Sequence, residues 1–340
     1  MKKIISTITA CIVATMTMSC GSTGNAAGED VKFDSLSYIV GMDVANQIEK
    51  GIMPQLKADY DVIVETLEKV ISGESSIKVA DVTITKESIQ EIGMKYLGPE
   101  IGPKVQAAMA DSTGMTEVFD TPEDKTIAST LLGADFGFGL EKAPFKIQKK
   151  SFIEAIKDVH NNAQKISDND AQAYMQNYFT VVIPAENERL SNEWLAKIEK
   201  KEKGVKKTES GLLYKIVNEG DANVKAVNDD DVVKVLYTGT TRNEKVFDSN
   251  RWEDMPEQRK QMIKSYQPDQ ADKDNPIEFP LNRVIKGWTE GMKLVGKGGR
   301  IILWIPAELA YGANGAGQDI GANEALRFDV ELLEVTPAEK

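Results

Sequence analysis

The sequence predicts an α+β protein: an N-terminal all-α domain made of two helical repeats, then a C-terminal antiparallel β-sheet wrapped on a short helix. Three observations predict it. Apolar residues keep helical spacing over residues 35 to about 203. Within that stretch one set of residues recurs in register. After Gly211 the spacing changes to the alternation of strands. A chain of 340 residues, 41% apolar, exceeds what one core usually spans, so two or three domains are expected. The net charge of −12 argues against a nucleic-acid partner, because phosphates are met by clustered Lys and Arg, which acids outnumber here.

The first segment carries Lys2 and Lys3 ahead of an apolar and hydroxyl run over residues 4–18, the charge and length of an export signal and too short to span a bilayer stably. It closes on Thr17-Met18-Ser19-Cys20-Gly21, which resembles the lipobox of bacterial lipoproteins. By that resemblance residues 1–19 are a signal peptide and Cys20 becomes the lipidated first residue, holding the protein at a membrane of the cell envelope, facing the periplasm or the cell surface. The alternative is a plain secretory signal with an incidental cysteine. Cys11 lies inside the removed segment, so no disulfide and no cysteine chemistry is expected in the mature chain. Residues 20–33, rich in Gly, Ser, Ala and Asn, read as a flexible tether.

Residues 34–185 read as a duplicated helical domain, with repeats at about 35–100 and 127–182. Tyr38-Ile39-Val40-Gly41-Met42-Asp43 matches Thr130-Leu131-Leu132-Gly133-Ala134-Asp135, and Glu49-Lys50 falls opposite Glu141-Lys142. The helix that starts near Ile63 lies opposite the one that starts near Phe152. Thr85 and Ser167 then stand where a third helix would be capped, running to Tyr96-Leu97 or Tyr178-Phe179. Loose alignment of any two amphipathic helix sets is the alternative. Residues 186–207, rich in helix formers and mixed charge, read as a connecting helix with Leu190, Trp194 and Ile198 on one face and the charged remainder solvated.

In residues 208–340, Val233, Val235 and Tyr237 alternate with polar or outward positions, as do Phe328, Val330 and Leu332, the pattern of strands with one covered face. Residues 282–293 are the one helix expected there, with Val284, Trp288 and Met292 on one side.

Five motifs then follow in order: Val235-Leu236-Tyr237-Thr238-Gly239, Val246-Phe247-Asp248-Ser249, Val284-Ile285-Lys286-Gly287-Trp288-Thr289-Glu290-Gly291, Ala310-Tyr311-Gly312 and Leu326-Arg327-Phe328-Asp329-Val330-Glu331-Leu332-Leu333. Together they resemble an FKBP-type peptidyl-prolyl cis-trans isomerase, and the helical repeat resembles the dimerisation domain of the two-domain macrophage-infectivity-potentiator class. The resemblance implies catalysis on proline-containing polypeptides without metal or cofactor. It assigns catalytic positions to Tyr237, Phe247, Asp248, Ile285, Trp288 and Tyr311. Trp288 would floor the proline site, the Ile285 amide and Tyr311 hydroxyl would donate to substrate carbonyls, and Asp248 would sit beside the rotating amide. Val284, Phe279, Ile277, Ile320 and Phe328 would line the rest. Since family members normally carry one helical copy, the duplication predicts either a monomer with a pseudo-dimeric helical domain or a homodimer.

The sequence departs from the family at Ile277, where an aromatic is usual, at Gly321-Ala322, where Pro-Pro is common, and at Ala316, where many members carry His. A long insertion lies between Ser249 and Asn275, and Trp252, Met255, Met262, Ile263 and Tyr266 within it suggest a small helical flap at the pocket rim, or else a surface excursion. The glycine-rich residues 312–317 lack the strand and helix of a phosphate loop, and His160, the sole histidine, cannot form a triad alone. The competing reading of the whole is a non-catalytic chaperone or peptide-binding module.

Overall fold

The computed structural model describes residues 33–141, 143 and 145–338. The expected signal peptide, Cys20 and nearly all of the tether lie outside them, as does Lys142. The described residues form two compact units, 33–176 and 177–338.

In the first unit, α1 (Ser35–Asn46) passes through a π-turn (Gln47–Ile52) into the short α2 (Met53–Leu56), followed by α3 (Tyr60–Ile71). After a hairpin of β1 (Ser76–Val79) and β2 (Val82–Thr85) come α4 (Ile89–Tyr96), α5 (Ile101–Ala110), α6 (Pro122–Leu140), α7 (Lys149–His160) and α8 (Asp168–Asn177). Local sequence sets the starts. Asp59 accepts from the Val62 amide at 3.2 Å to cap α3. Thr121 accepts from the Asp124 amide at 3.0 Å to cap α6, with Pro122 in the first turn. The hairpin is the departure from an all-α domain. Ile77 and Ile84 pair across it and are both buried, an alternation too short to stand out against the helical periods around it.

The repeats pair by exchange. Helix α1 of the first packs on α7 of the second, and α6 of the second packs on α3 of the first. A Cβ added at Gly41 would lie 2.4 Å from the Phe152 carbonyl oxygen and 2.9 Å from Ala155 Cβ; one at Gly133 would lie 2.3 Å from the Ile63 carbonyl oxygen and 2.9 Å from Thr66 Cβ. The polar contacts repeat as well. Ser37 Oγ accepts from the Gln148 amide at 2.7 Å, and its counterpart Ser129 Oγ accepts from the Asp59 amide at 2.8 Å. Thr85 and Ser167 accept from the amides of Ser88 and Asp170 at 3.2 and 3.1 Å. The contacts of the two segments thus match position by position.

The second unit opens with a π-turn (Tyr178–Val182) and α9 (Ile183–Lys201). The third helix of the second repeat therefore does not stop at Phe179. The buried face of α9 is also not the expected one: Ile183, Asn187 and Ser191 are buried, while Leu190, Trp194 and Ile198 are only half-buried. Asn187 Nδ2 donates to the Ala322 carbonyl at 2.9 Å, and Ser191 Oγ accepts from the Ala325 amide at 3.0 Å. Buried Arg242 donates to Glu324 at 2.9 Å and to Asn187 Oδ1 at 3.2 Å. Polar side chains can occupy a buried stripe when each finds such a partner, so apolar spacing misses this face.

The sheet has the order β3 (Lys206–Lys207), β4 (Leu213–Asn218), β10 (Gly299–Ile305), β11 (Leu326–Thr336), β6 (Val232–Thr241), β7 (Val246–Ser249), with β8 (Ile277–Pro280) also on β6; every pairing is antiparallel. A separate pair joins β5 (Asp221–Lys225) to β9 (Gly296–Lys297). The expected helix over 282–293 is a single α segment, α11 (Lys286–Gly291), between 3-10 turns at Leu281–Arg283 and Met292–Leu294. Its glycines let it lie close on the sheet, since Cβ atoms at Gly287 and Gly291 would come within 2.5 Å of Ile305 and 2.6 Å of Leu303 side chains. A second helix, α10 (Glu257–Tyr266), forms inside the insertion. Of the apolar residues named for the flap, Met255 is buried, whereas Met262 and Tyr266 are exposed.

Candidate active site

The apolar residues singled out from the sequence come together over the sheet, and Tyr311, more exposed, stands just ahead of the 3-10 turn at Gly312–Asn314. Tyr237 stands on β6, Phe247 and Asp248 on β7, Ile277 and Phe279 on β8, and Phe328 on β11. The register places Tyr237 opposite Val330 and Gly239 opposite Phe328. Trp288 projects from α11, and Val284 and Ile285 precede it. Tyr237, Trp288, Ile320 and Phe328 belong to the core of this unit, and Phe247, Ile277, Phe279, Val284 and Ile285 pack against it half-buried.

Trp288 is the hub. Its ring meets Tyr237 edge-on at 5.1 Å and 87°, Phe328 at 5.2 Å and 88°, and Phe279 at 5.5 Å and 55°. Phe247 meets Phe328 edge-on at 5.6 Å. These are favoured ring geometries and fix the rings in place. Among the described residues the buried Trp288 Nε1 has no hydrogen-bond partner. Gly239 makes the box possible, since a Cβ there would sit 2.7 Å from Phe247 and 2.8 Å from Phe328.

Ile285 is the N-cap residue of α11 in extended conformation. Its amide thus falls among the groups at a helix start that the i→i−4 ladder leaves unused. At the polar edge, the Tyr237 hydroxyl donates to Asp248 Oδ2, and Arg259 Nη1 donates to Asp248 Oδ1. Burial, then the hydrogen bond and charge of Asp248, push the Tyr237 phenol well above its ordinary range. Burial and the Asp248 charge also raise that of Tyr311, whose side chain remains partly exposed. Both phenols therefore stay protonated and able to donate.

Sequence reasoning missed three contributors. The motif around Tyr237 contains Gly239, but nothing in its spacing marks the gap that admits two rings. Asn250 pins the strand beside Tyr237, accepting from its amide at 2.6 Å and donating to the Val235 carbonyl at 2.9 Å. Arg259 comes from the insertion, and no local pattern marks it. Among the described residues, no group of three or more His, Cys, Asp or Glu could hold a metal ion, and no helix is long and apolar enough to cross a membrane.

The family described as FKBP-type peptidyl-prolyl cis-trans isomerase matches residues 223–333, and the domain amino-terminal to it matches residues 125–216. FkpA of Escherichia coli K12, an FKBP-type peptidyl-prolyl cis-trans isomerase, is 37% identical over 210 residues, covering 59% of this chain and 69% of that protein. The chain belongs to the FKBP-type isomerase family. A probable FKBP-type isomerase of Haemophilus influenzae is 44% identical over 137 residues, and there the chain spans 48% of the relative's length. The crystal structure of FkpA from Escherichia coli, 36% identical, covers 57% of this chain and 85% of its own, with a TM-score of 0.39. In this chain the matched amino-terminal domain covers the segment read from the sequence as the second helical repeat, and residues 35–100, read as the first, stand ahead of it.

Proposed function

We propose that the sheet unit catalyses cis-trans isomerisation of X-Pro bonds and so assists the folding of exported polypeptides. The observation that carries this is the box of rings around Trp288, with the Tyr237 to Asp248 hydrogen bond at its edge. Rotation about a peptide bond meets a barrier of roughly 18 to 20 kcal/mol, set by amide resonance. The twisted amide has lost that resonance and its charge separation, so an apolar box binds it better than the planar form. Tighter binding of the twisted form lowers the barrier. Trp288 floors the proline ring; Tyr237, Phe247, Val284, Ile285, Phe279, Ile277 and Phe328 wall it, and Ile320 closes one side. The Ile285 amide and Tyr311 hydroxyl hold the flanking carbonyls while Asp248 lies beside the turning bond.

A protease-coupled assay on an X-Pro tetrapeptide tests this. Tyr311→Phe and Asp248→Ala should each lower kcat/KM about tenfold, the worth of one hydrogen bond in the transition state. An unmodified chain that gives no acceleration would remove the reading.

The same proposal places the protein in the cell envelope, held to a membrane through lipid on Cys20. The support is the Lys2-Lys3 start, the short apolar run and the small residues before the cysteine. Cys20→Ser should abolish labelling by a fatty acid. It also takes the helical unit to be complete within one chain, a pseudo-dimer replacing a two-chain one, supported by the matched contacts of Gly41 and Gly133 and of Ser37 and Ser129. Light scattering should give the mass of one chain.

A further inference from the structure

The insertion is tied down at its base and bare along its helix. Trp252 donates its amide to Asp274 at 2.7 Å, Thr238 donates to Asp254 at 2.6 Å, and Met255 is buried. Helix α10, by contrast, has no buried residue. A ten-residue helix alone is marginal in water and normally draws its stability from a buried face. Here Arg259, Met262, Ile263 and Tyr266 share one stripe by their spacing of three and four. The stripe starts at the pocket, because Arg259 pairs with Asp248. Beyond that pair, Met262 is 58% and Tyr266 83% exposed.

From this continuity we infer that α10 is a secondary docking surface for the polypeptide whose proline occupies the box, taking an apolar side chain on Met262 and Tyr266. The inference rests on the isomerase reading above. Tyr266 lies seven positions after Arg259 on the helix, about 10 Å along the axis. An extended chain covers that in about three residues. Tyr266 therefore meets a side chain about three positions from the residue that lies beside Arg259. A tetrapeptide with proline third carries no residue at that distance, whereas an unfolded protein does. The ion pair that positions the helix is exposed at Arg259 and half-buried at Asp248, so it holds α10 weakly enough for the helix to adjust to its occupant.

The test is the full-length double variant Met262→Ser/Tyr266→Ser, assayed on a proline-third tetrapeptide and on a protein whose refolding is limited by proline isomerisation. Since neither side chain is buried, the substitutions leave the unit folded, and circular dichroism checks this. The ratio of refolding kcat/KM to tetrapeptide kcat/KM should fall about tenfold, equivalent to ~1.4 kcal/mol of lost contact. An unchanged ratio overturns the docking surface while the isomerase reading stands. No tetrapeptide acceleration by the unmodified chain removes that reading, and this inference with it.

Discussion

Replacing Gly41 by Ala tests the exchange of helices between the repeats. The new methyl carbon would lie 2.4 Å from the Phe152 carbonyl oxygen and 2.9 Å from Ala155 Cβ. The oxygen belongs to the backbone of α7 and cannot turn aside, so α1 and α7 must part by about 1 Å. A gap of that size forfeits roughly a quarter to a half of each dispersion contact it opens. Tyr38, Val40, Val44, Phe152 and Ile156, all buried, lie on these two helices. Overpacking of this kind costs about 3 kcal/mol, of which the better helix propensity of Ala returns up to ~1, leaving ~2 kcal/mol of destabilisation. For a unit of this size that lowers Tm by about 4–8 °C. Gly133→Ala should cost about the same, because its methyl meets the Ile63 carbonyl at 2.3 Å. Gly93→Ala is the control: its methyl would meet only Leu131 Cδ2, at 3.7 Å, so it should be stabilising by up to ~1 kcal/mol. Thermal unfolding followed by far-ultraviolet circular dichroism reads all three. If Gly41→Ala and Gly133→Ala raise Tm as Gly93→Ala does, the close pairing of α1 with α7 and of α3 with α6 is refuted.

Other outcomes follow from the second unit. Arg242→Met leaves Glu324 buried without its cation and should cost about 3–5 kcal/mol in urea unfolding; a loss under about 1 kcal/mol would mean that water reaches the pair. Burial alone would raise the Asp231 carboxyl, but the amides of Val227, Asn228 and Ala338 outweigh it and hold its pKa at about 2, below the ordinary 3.8. Its stabilisation, about 2 kcal/mol, is therefore fully present above pH ~4 and lost as pH falls through ~2. Asp231→Asn should be less stable at pH 7 and converge with the unmodified chain near pH 2; a pH-independent difference would exclude this linkage. Trp288→Phe deletes a buried N–H with no partner, which offsets much of the lost apolar area, so stability should change by under about 1 kcal/mol while activity falls; a loss above ~3 kcal/mol would show that the N–H is satisfied in solution.

Much of this protein is written in local pattern. Helical spacing and the recurrence around Gly41 and Gly133 marked the duplicated helical region, because burial of one helix face imposes its period on the sequence. The five ordered motifs hold Tyr237, Phe247 and Phe328, three of the rings that the sheet unit gathers with Trp288, whereas Phe279 lies outside them. Tertiary structure decided the rest. Which repeat each helix packs on depends on contacts far apart in sequence, visible only when Gly41 meets Phe152 and Gly133 meets Ile63. The buried face of α9 is polar, and hydrogen-bonded groups leave no apolar period to read. Arg259 reaches Asp248 because the insertion folds back over the rim, a closure of chain ends that no window of residues encodes.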